Sequence, residues 1–324
     1  MARSLDVDSV RRQLRFDMAP NRSWNQQQSA HSQALTAFFQ ANSRVKDYQA
    51  HSSKVHSVNW SCDGRRLACG SFDKTVSIFV LDKDRMAKDH VFKGHGDSVD
   101  QLCWHPSNPD HLATASLDKT VRLWDARTQK SIAVVGTKGE NINICWAPDG
   151  QTIAVGNKED LVSFIDVRSH KVRTDQQFKF EVNEISWNNT NTHFFLTSGQ
   201  GCIHILSYPD LQLQTVLNAH PANCICIEFD PTGKYFATGS VDALVSLWDV
   251  QELACLRTFS RWVYTIYFVI AMVSAVKEIH FHKREVVMLT DLFTTSQPFL
   301  SKCVPALRHD VCLSFSISRS RQVA

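Results

Sequence analysis

The stretch Lys93-Gly94-His95-Gly96-Asp97-Ser98-Val99 leads into Leu102-Cys103-Trp104, then Leu112-Ala113-Thr114-Ala115-Ser116, then Leu117-Asp118-Lys119, then Thr120-Val121-Arg122-Leu123-Trp124-Asp125. Apolar residues alternate with polar ones inside each short run, the period of two that belongs to strands. The runs are separated by Asn108-Pro109 and by the Asp118 turn, residue types that suit tight reversals. The same order recurs along the chain. An aromatic-ended strand appears as Val58-Asn59-Trp60, Leu102-Cys103-Trp104, Ile144-Cys145-Trp146, Ile185-Ser186-Trp187 and Ile227-Glu228-Phe229. Successive markers lie 44, 42, 41 and 42 residues apart. Each is followed by a turn signal: Asp63-Gly64, Asn108-Pro109, Asp149-Gly150, Asn189-Thr190-Asn191 and Thr232-Gly233.

Three or four short strands in each such period describe one propeller blade, because a helical repeat would show a period near 3.6 residues instead. The reading is all-β: a β-propeller of about five recognisable blades, incomplete or irregularly closed. It divides the chain into an N-terminal arm over 1–47, blades over 48–259 and a divergent tail over 260–324. In the arm, Arg11, Arg12 and Arg15 form a small basic cluster, and Leu35, Phe38 and Phe39 share one face of a short helix over 32–41. The arm is therefore partly helical or flexible. In the tail, Trp262 to Val276 is an uncharged, mostly apolar run. Its 15 residues fall short of the roughly 20 that a membrane helix needs, so a buried strand or helix is expected and membrane association is not. All twelve glycines lie between Gly64 and Gly239, so the repeat pattern stops near Phe259.

Composition narrows the function class. The formal net charge of +3 over 324 residues is too small for a dedicated nucleic-acid binder. The ten cysteines are scattered, with no CxxC pair to hold zinc, so no metal and no cofactor are expected. Cys103 and Cys145 sit inside strand patterns, as reduced, buried thiols would in a reducing compartment. The opening Met1-Ala2-Arg3-Ser4-Leu5-Asp6 has no apolar core of a secretory signal.

The segment around Lys93-Gly94-His95, Leu117-Asp118-Lys119-Thr120 and Leu123-Trp124-Asp125 resembles a complete WD repeat. In that family a His, a Ser or Thr, an Asp and a Trp form a buried hydrogen-bonded chain. The resemblance implies His95, Thr114 or Ser116, Asp118 and Trp124 in the second repeat. In the fifth it implies His220, Thr238 or Ser240, Asp242 and Trp248. The first repeat has His51, Ser71 and Asp73, with Phe79 replacing the Trp. A carboxylate shielded from water needs such partners, and the chain can run from imidazole to hydroxyl to indole. Because the set recurs once per blade and has no nucleophile elbow, it reads as structural, with no catalytic residue and no small-molecule substrate. Repeats three and four lack the His. Glu159 and Ile165 stand for Asp and Trp in the third, and Gly199-Gln200-Gly201 replaces the Asp turn in the fourth. Those blades are expected to depend more on packing.

Three longer stretches carry a narrower resemblance: Lys54-Val55-His56-Ser57-Val58 through Arg66, Gly94 through Asp100, and Phe178-Lys179-Phe180-Glu181-Val182-Asn183-Glu184-Ile185-Ser186-Trp187. Together they resemble the THO complex subunit 3 family over roughly residues 50–260. That resemblance implies a nuclear scaffold whose partners are other THO/TREX subunits, with mRNA met indirectly. The family's blades continue past residue 260, where this chain departs. Two other readings stay open on the sequence. Trp124-Asp125-Ala126-Arg127 and Ile165-Asp166-Val167-Arg168 resemble the paired boxes of cullin-type ubiquitin ligase receptors. The apolar run at 262–276 allows a membrane-tethered protein.

Overall fold

Every period of the sequence becomes one antiparallel sheet. The computed structural model describes residues 48–82 and 85–259. The N-terminal arm and the tail, with its apolar run, lie outside the described residues. Blade 1 is built from β1 (Val55–Trp60), β2 (Arg66–Ser71), β3 (Thr75–Asp82) and β4 (Arg85–Lys93). Blade 2 follows with β5 (Val99–Trp104), β6 (His111–Ser116), β7 (Thr120–Asp125) and β8 (Lys130–Gly136). Blade 3 comprises β9 (Asn141–Trp146), β10 (Thr152–Asn157), β11 (Leu161–Asp166) and β12 (Lys171–Gln177). Blade 4 comprises β13 (Val182–Trp187), β14 (His193–Ser198), β15 (Cys202–Ser207) and β16 (Leu213–Asn218). Blade 5 comprises β17 (Cys224–Phe229), β18 (Tyr235–Ser240), β19 (Val245–Asp249) and β20 (Cys255–Phe259). In each sheet the strands stand in sequence order, so every connection is a local hairpin.

The markers explain how blades stack. Leu102 and Trp104 lie one strand period apart and are both buried against blade 1, beside Val76, Ile78 and Phe92. Ile144 and Trp146 do the same against Ala113, Val121 and Leu123 of blade 2. Ile185 with Trp187, and Ile227 with Phe229, repeat the arrangement in the next two joints. The second residue of each triplet points to the opposite side. The Trp104 indole also donates to the Asn59 carbonyl of blade 1 at 2.9 Å, a bond from blade to blade.

Two irregularities recur in every sheet. One register shift lies near the start of each inner strand, as between Val99 and Gln101. The other lies between the third and fourth strands, at Phe79, Trp124, Ile165, Leu206 and Trp248. The second falls on the Trp position of the repeat even where that residue is Phe, Ile or Leu, so the backbone keeps the bulge after the side chain has changed.

Inner-strand packing runs β1 to β5 to β9 to β13 to β17, and among the described residues no comparable packing returns from β17 to β1. Val58 and Trp60, the blade 1 markers, are accordingly only half-buried, while the equivalent residues of the other four blades are buried. The five blades are thus consecutive members of a β-propeller whose first and last flanks face no described blade.

Candidate functional site: the blade network and the axial surface

Blade 2 shows the hydrogen-bond chain most fully. The Trp124 indole N–H donates to Thr114 Oγ1 at 2.9 Å, and Thr114 Oγ1 lies 2.7 Å from His95 Nε2. His95 Nδ1 lies 2.8 Å from Asp118 Oδ2. One proton arrangement satisfies all three bonds: indole to hydroxyl, hydroxyl to Nε2, and Nδ1–H to carboxylate, with the imidazole neutral. Asp118 also accepts from the Gly96 N–H at 2.8 Å, and from the Thr120 N–H at 2.9 Å and hydroxyl at 2.6 Å. Ser116 has a different position. Its hydroxyl donates to the Asp97 carbonyl and accepts from the Asp118 N–H, so it holds the turn and does not meet His95. Of the two hydroxyls the sequence left open, Thr114 meets the imidazole.

Blade 5 repeats the set with Trp248, Thr238, His220 and Asp242 at 3.0, 2.9 and 3.0 Å, and Ser240 again holds the turn. Blade 1 differs. His51 Nδ1 faces the Asp73 carboxylate at 3.0 Å, but Nε2 meets the backbone carbonyl of Cys69 at 3.1 Å, because Cys69 occupies the place of Thr114. Ser71 bonds the Lys54 carbonyl and the Asp73 N–H, so its place is in the turn. Phe79 fills the Trp position and packs edge-on against Tyr48.

The two degenerate blades solve the turn in unlike ways. In blade 3 the expected reliance on packing is incomplete: the Asn157 side chain accepts the N–H groups of Glu159 and Leu161, both at 3.0 Å, as Asp118 accepts that of Thr120. Glu159 itself is exposed. In blade 4 packing has taken over, since Phe178, Leu196 and Leu206 stand at the His, Thr and Trp places and belong to one apolar cluster. The turn there passes through Gly201 at φ +81°, and Gly201 O accepts from the Ala219 and His220 N–H groups of the next loop.

Electrostatics match this geometry. Burial lowers the His95 pKa below its usual 6.5, with Asp118 acting against it. Burial alone would raise Asp118, but hydrogen bonds from Thr120, Gly96 and His95 outweigh it and hold the group at about 2. Burial also lowers His51. Both kinds of shift make the unfolded chain the better proton acceptor on the acid side, so stability falls as the pH is lowered. The histidine contribution is present above pH 6.5 and is lost as pH drops below it; that of Asp118 is lost from pH 3.8 down to about 2. Urea midpoints measured across this range are expected to fall in both windows, and His95→Gln is expected to shrink the first of them.

A second polar set, which the repeat pattern does not single out, lines the inner strands. Gln101 of β5 reaches past β9 to Glu184 of β13, donating at 2.8 Å. Burial raises the Glu184 pKa to about 8, against the hydrogen bonds from the Ile185 N–H and Gln101. Asn143 donates to the Asn183 carbonyl at 3.0 Å, and Asn183 donates to Asn223 Oδ1 at 2.6 Å, linking blades 3, 4 and 5. The recurrence of Asn every 40 residues at 143, 183 and 223 is the sequence signal for this ladder.

Chemically, the site is an array of fixed acceptors and donors. Among the described residues no group of three or more His, Cys, Asp or Glu is placed to hold a metal, and no helix is long and apolar enough to cross a membrane. Arg127 of the first ligase-type box is engaged within its own blade, bidentate to Asp125 at 3.1 and 2.8 Å and paired with Asp110 at 3.5 Å. In the second box Asp166 accepts the Ser169 N–H at 2.7 Å.

Comparison with known proteins follows the same line. Residues 51–272 match the family described as the THOC3 beta-propeller domain. THO complex subunit 3 of Arabidopsis thaliana is 51% identical over 218 residues, covering 67% of this chain and 69% of that protein. The WD repeat-containing protein AAC3 of Dictyostelium discoideum is 32% identical over 246 residues, 67% of this chain but only 51% of that protein. Protein transport protein SEC13 of Coccidioides immitis is 29% identical over 216 residues, covering 61% of each chain. The shared WD architecture thus extends to proteins of other names, while the family match and the 51% identity select one branch. The chain belongs to the THO complex subunit 3 family of WD-repeat β-propellers.

Proposed function

We propose that this chain is a non-enzymatic scaffold subunit of a nuclear THO/TREX-type complex that couples transcription and splicing to mRNA export. The observation that carries the reading is the 51% identity to a THO complex subunit 3 over two thirds of both chains. The structure supports it in kind. The His, Asp and Thr groups of blades 2 and 5 are consumed in holding turns, which leaves the propeller faces for protein contacts. RNA is met through partner subunits, in keeping with a net charge of +3.

The test is affinity purification of the tagged full chain from nuclear extract, with and without nuclease. THO subunits are expected in both eluates. Their absence from both would contradict the proposal, and their loss on nuclease treatment alone would contradict assembly through protein contacts. Recovery of a cullin-ligase adaptor in their place would favour the receptor reading, for which the intrablade pairing of Arg127 offers no support.

A further inference from the structure

The outer edge of blade 2 combines exposed apolar side chains with a cation that no described carboxylate neutralises. β8 is the last strand of its sheet, so one side of its backbone pairs with no described strand. Ile132 and Val134 of this strand are 44% and 50% exposed. The register sets Val134 opposite Arg122 of β7. Ring contacts run on from Arg122 into the joint with blade 1. Arg122 Cζ lies 5.9 Å from the Trp124 ring centre, Trp124 stacks on Phe92 at 4.7 Å, and Phe92 meets His90 edge-on at 4.8 Å. Both ends of this row hold a buried nitrogen with no hydrogen-bond partner, Arg122 Nε and His90 Nε2. Gly94 confines the guanidinium, since a Cβ added there would stand 3.0 Å from Arg122 Nη1.

The place of Arg122 is satisfied from within in three other blades. Ser77 of blade 1 donates to the Ala50 carbonyl at 3.0 Å. Ser163 of blade 3 donates to Asp175, the residue opposite it on β12. His204 of blade 4, opposite Val216, stacks on Phe180 at 3.8 Å. Blade 3 thus shows that a carboxylate fits against this position, and blade 2 has Val134 there instead. Among the described residues, ion pairs engage the side chains of Arg66, Arg127, Lys138 and Lys158, and none takes Arg122. An unpaired guanidinium beside two exposed aliphatic side chains complements a segment that brings both a carboxylate and apolar groups. A second copy of β8 has a lysine at Lys130 and no acid, so it offers Arg122 nothing. We infer that this edge of blade 2 docks an extended, acidic and apolar segment of a partner protein, with its carboxylate on Arg122 and its apolar side chains on Ile132 and Val134. The inference rests on the scaffold reading and deepens it, naming a contact surface and the chemistry of the partner that meets it.

The first measurement titrates the full chain against a fluorescent peptide reading Ser-Glu-Thr-Val-Thr-Ile-Ser, which sets its carboxylate and apolar groups on one strand face. Binding is expected to weaken about tenfold in Arg122→Gln, and about tenfold when the peptide's glutamate becomes glutamine. The two changes together are expected to cost no more than either alone, because each removes the same contact. Ile132→Ser/Val134→Ser, a change of two exposed side chains, is also expected to weaken binding. No binding by the parent chain, equal binding by the variants, or losses that simply add would overturn the inference. The second measurement places p-benzoylphenylalanine at Val134 in the full chain assembled with THO subunits. A cross-link into an acidic, apolar stretch of one subunit is expected. Assembly with no cross-link at Val134, or with one into a basic stretch or into RNA, would overturn the inference and leave the scaffold reading standing. Failure of the complex to assemble, with the expected peptide binding intact, would overturn the scaffold reading and leave this surface supported by the peptide.

Discussion

Replacing Asp118 with alanine is expected to lower the free energy of unfolding by about 3 kcal/mol, because the change strips partners from several shielded donors at once. The carboxylate accepts from Gly96, from both donors of Thr120 and from His95, and its side chain is only 12% exposed. Alanine leaves the His95 Nδ1–H, itself buried, with only the Thr120 hydroxyl at 3.4 Å to accept it, and the disturbance passes through Thr114 to Trp124. The same substitution at Glu159, the residue in the corresponding place of blade 3, is expected to stay within about 0.5 kcal/mol. Glu159 is exposed, and the turn it sits in is held by Asn157. Urea unfolding of the two variants beside the parent chain checks the contrast. Equal losses at Asp118 and Glu159 would show that the turn position, and not the network, sets the effect.

The second large effect is expected at Gly201. Its φ of +81° is strained for any side chain, and an added Cβ would stand 2.1 Å from the His220 carbonyl oxygen and 2.5 Å from that of Ala222. Both obstacles are backbone atoms of the next loop, which cannot swing aside as a side chain could. Gly201→Ala is therefore expected to cost about 3 kcal/mol or more, since the loop it displaces also positions His220. Gly64 supplies the comparison: φ is +67°, but nothing lies within 4 Å of its added Cβ. Gly64→Ala should cost only about 1 kcal/mol, the strain of the left-handed conformation itself. Thermal unfolding of both variants tests this, and comparable losses would refute the role assigned to close approach at Gly201.

These two sites also show where the sequence is legible. The blade count, the order of strands and the inward pairs such as Leu102 with Trp104 follow from a repeated period and from alternation, both local properties. The partners of His95 and His220 were legible as a family pattern but not as individual bonds. Thr114 and Ser116 share one face of one strand, and only the three-dimensional register separates the hydroxyl that meets the imidazole from the one that meets the turn. Cys69 was missed because it offers the backbone carbonyl, and not its side chain, to His51. Asn157 was missed because the turn of blade 3 is held from the strand before it and not from the Asp position. The bond between Gln101 and Glu184 joins residues far apart in sequence on blades that are not neighbours, so only the curvature of the blade stack brings them together. The family itself was legible because several consecutive blades carry distinctive residues between the common motifs.

Assembly with THO subunits is tested most directly by reconstitution. The full chain, co-expressed with the remaining THO subunits and passed over a sizing column in the absence of RNA, is expected to elute with them at a fixed stoichiometry. Elution of a folded chain apart from those subunits, with the rest of the complex assembled without it, would contradict the scaffold function proposed here.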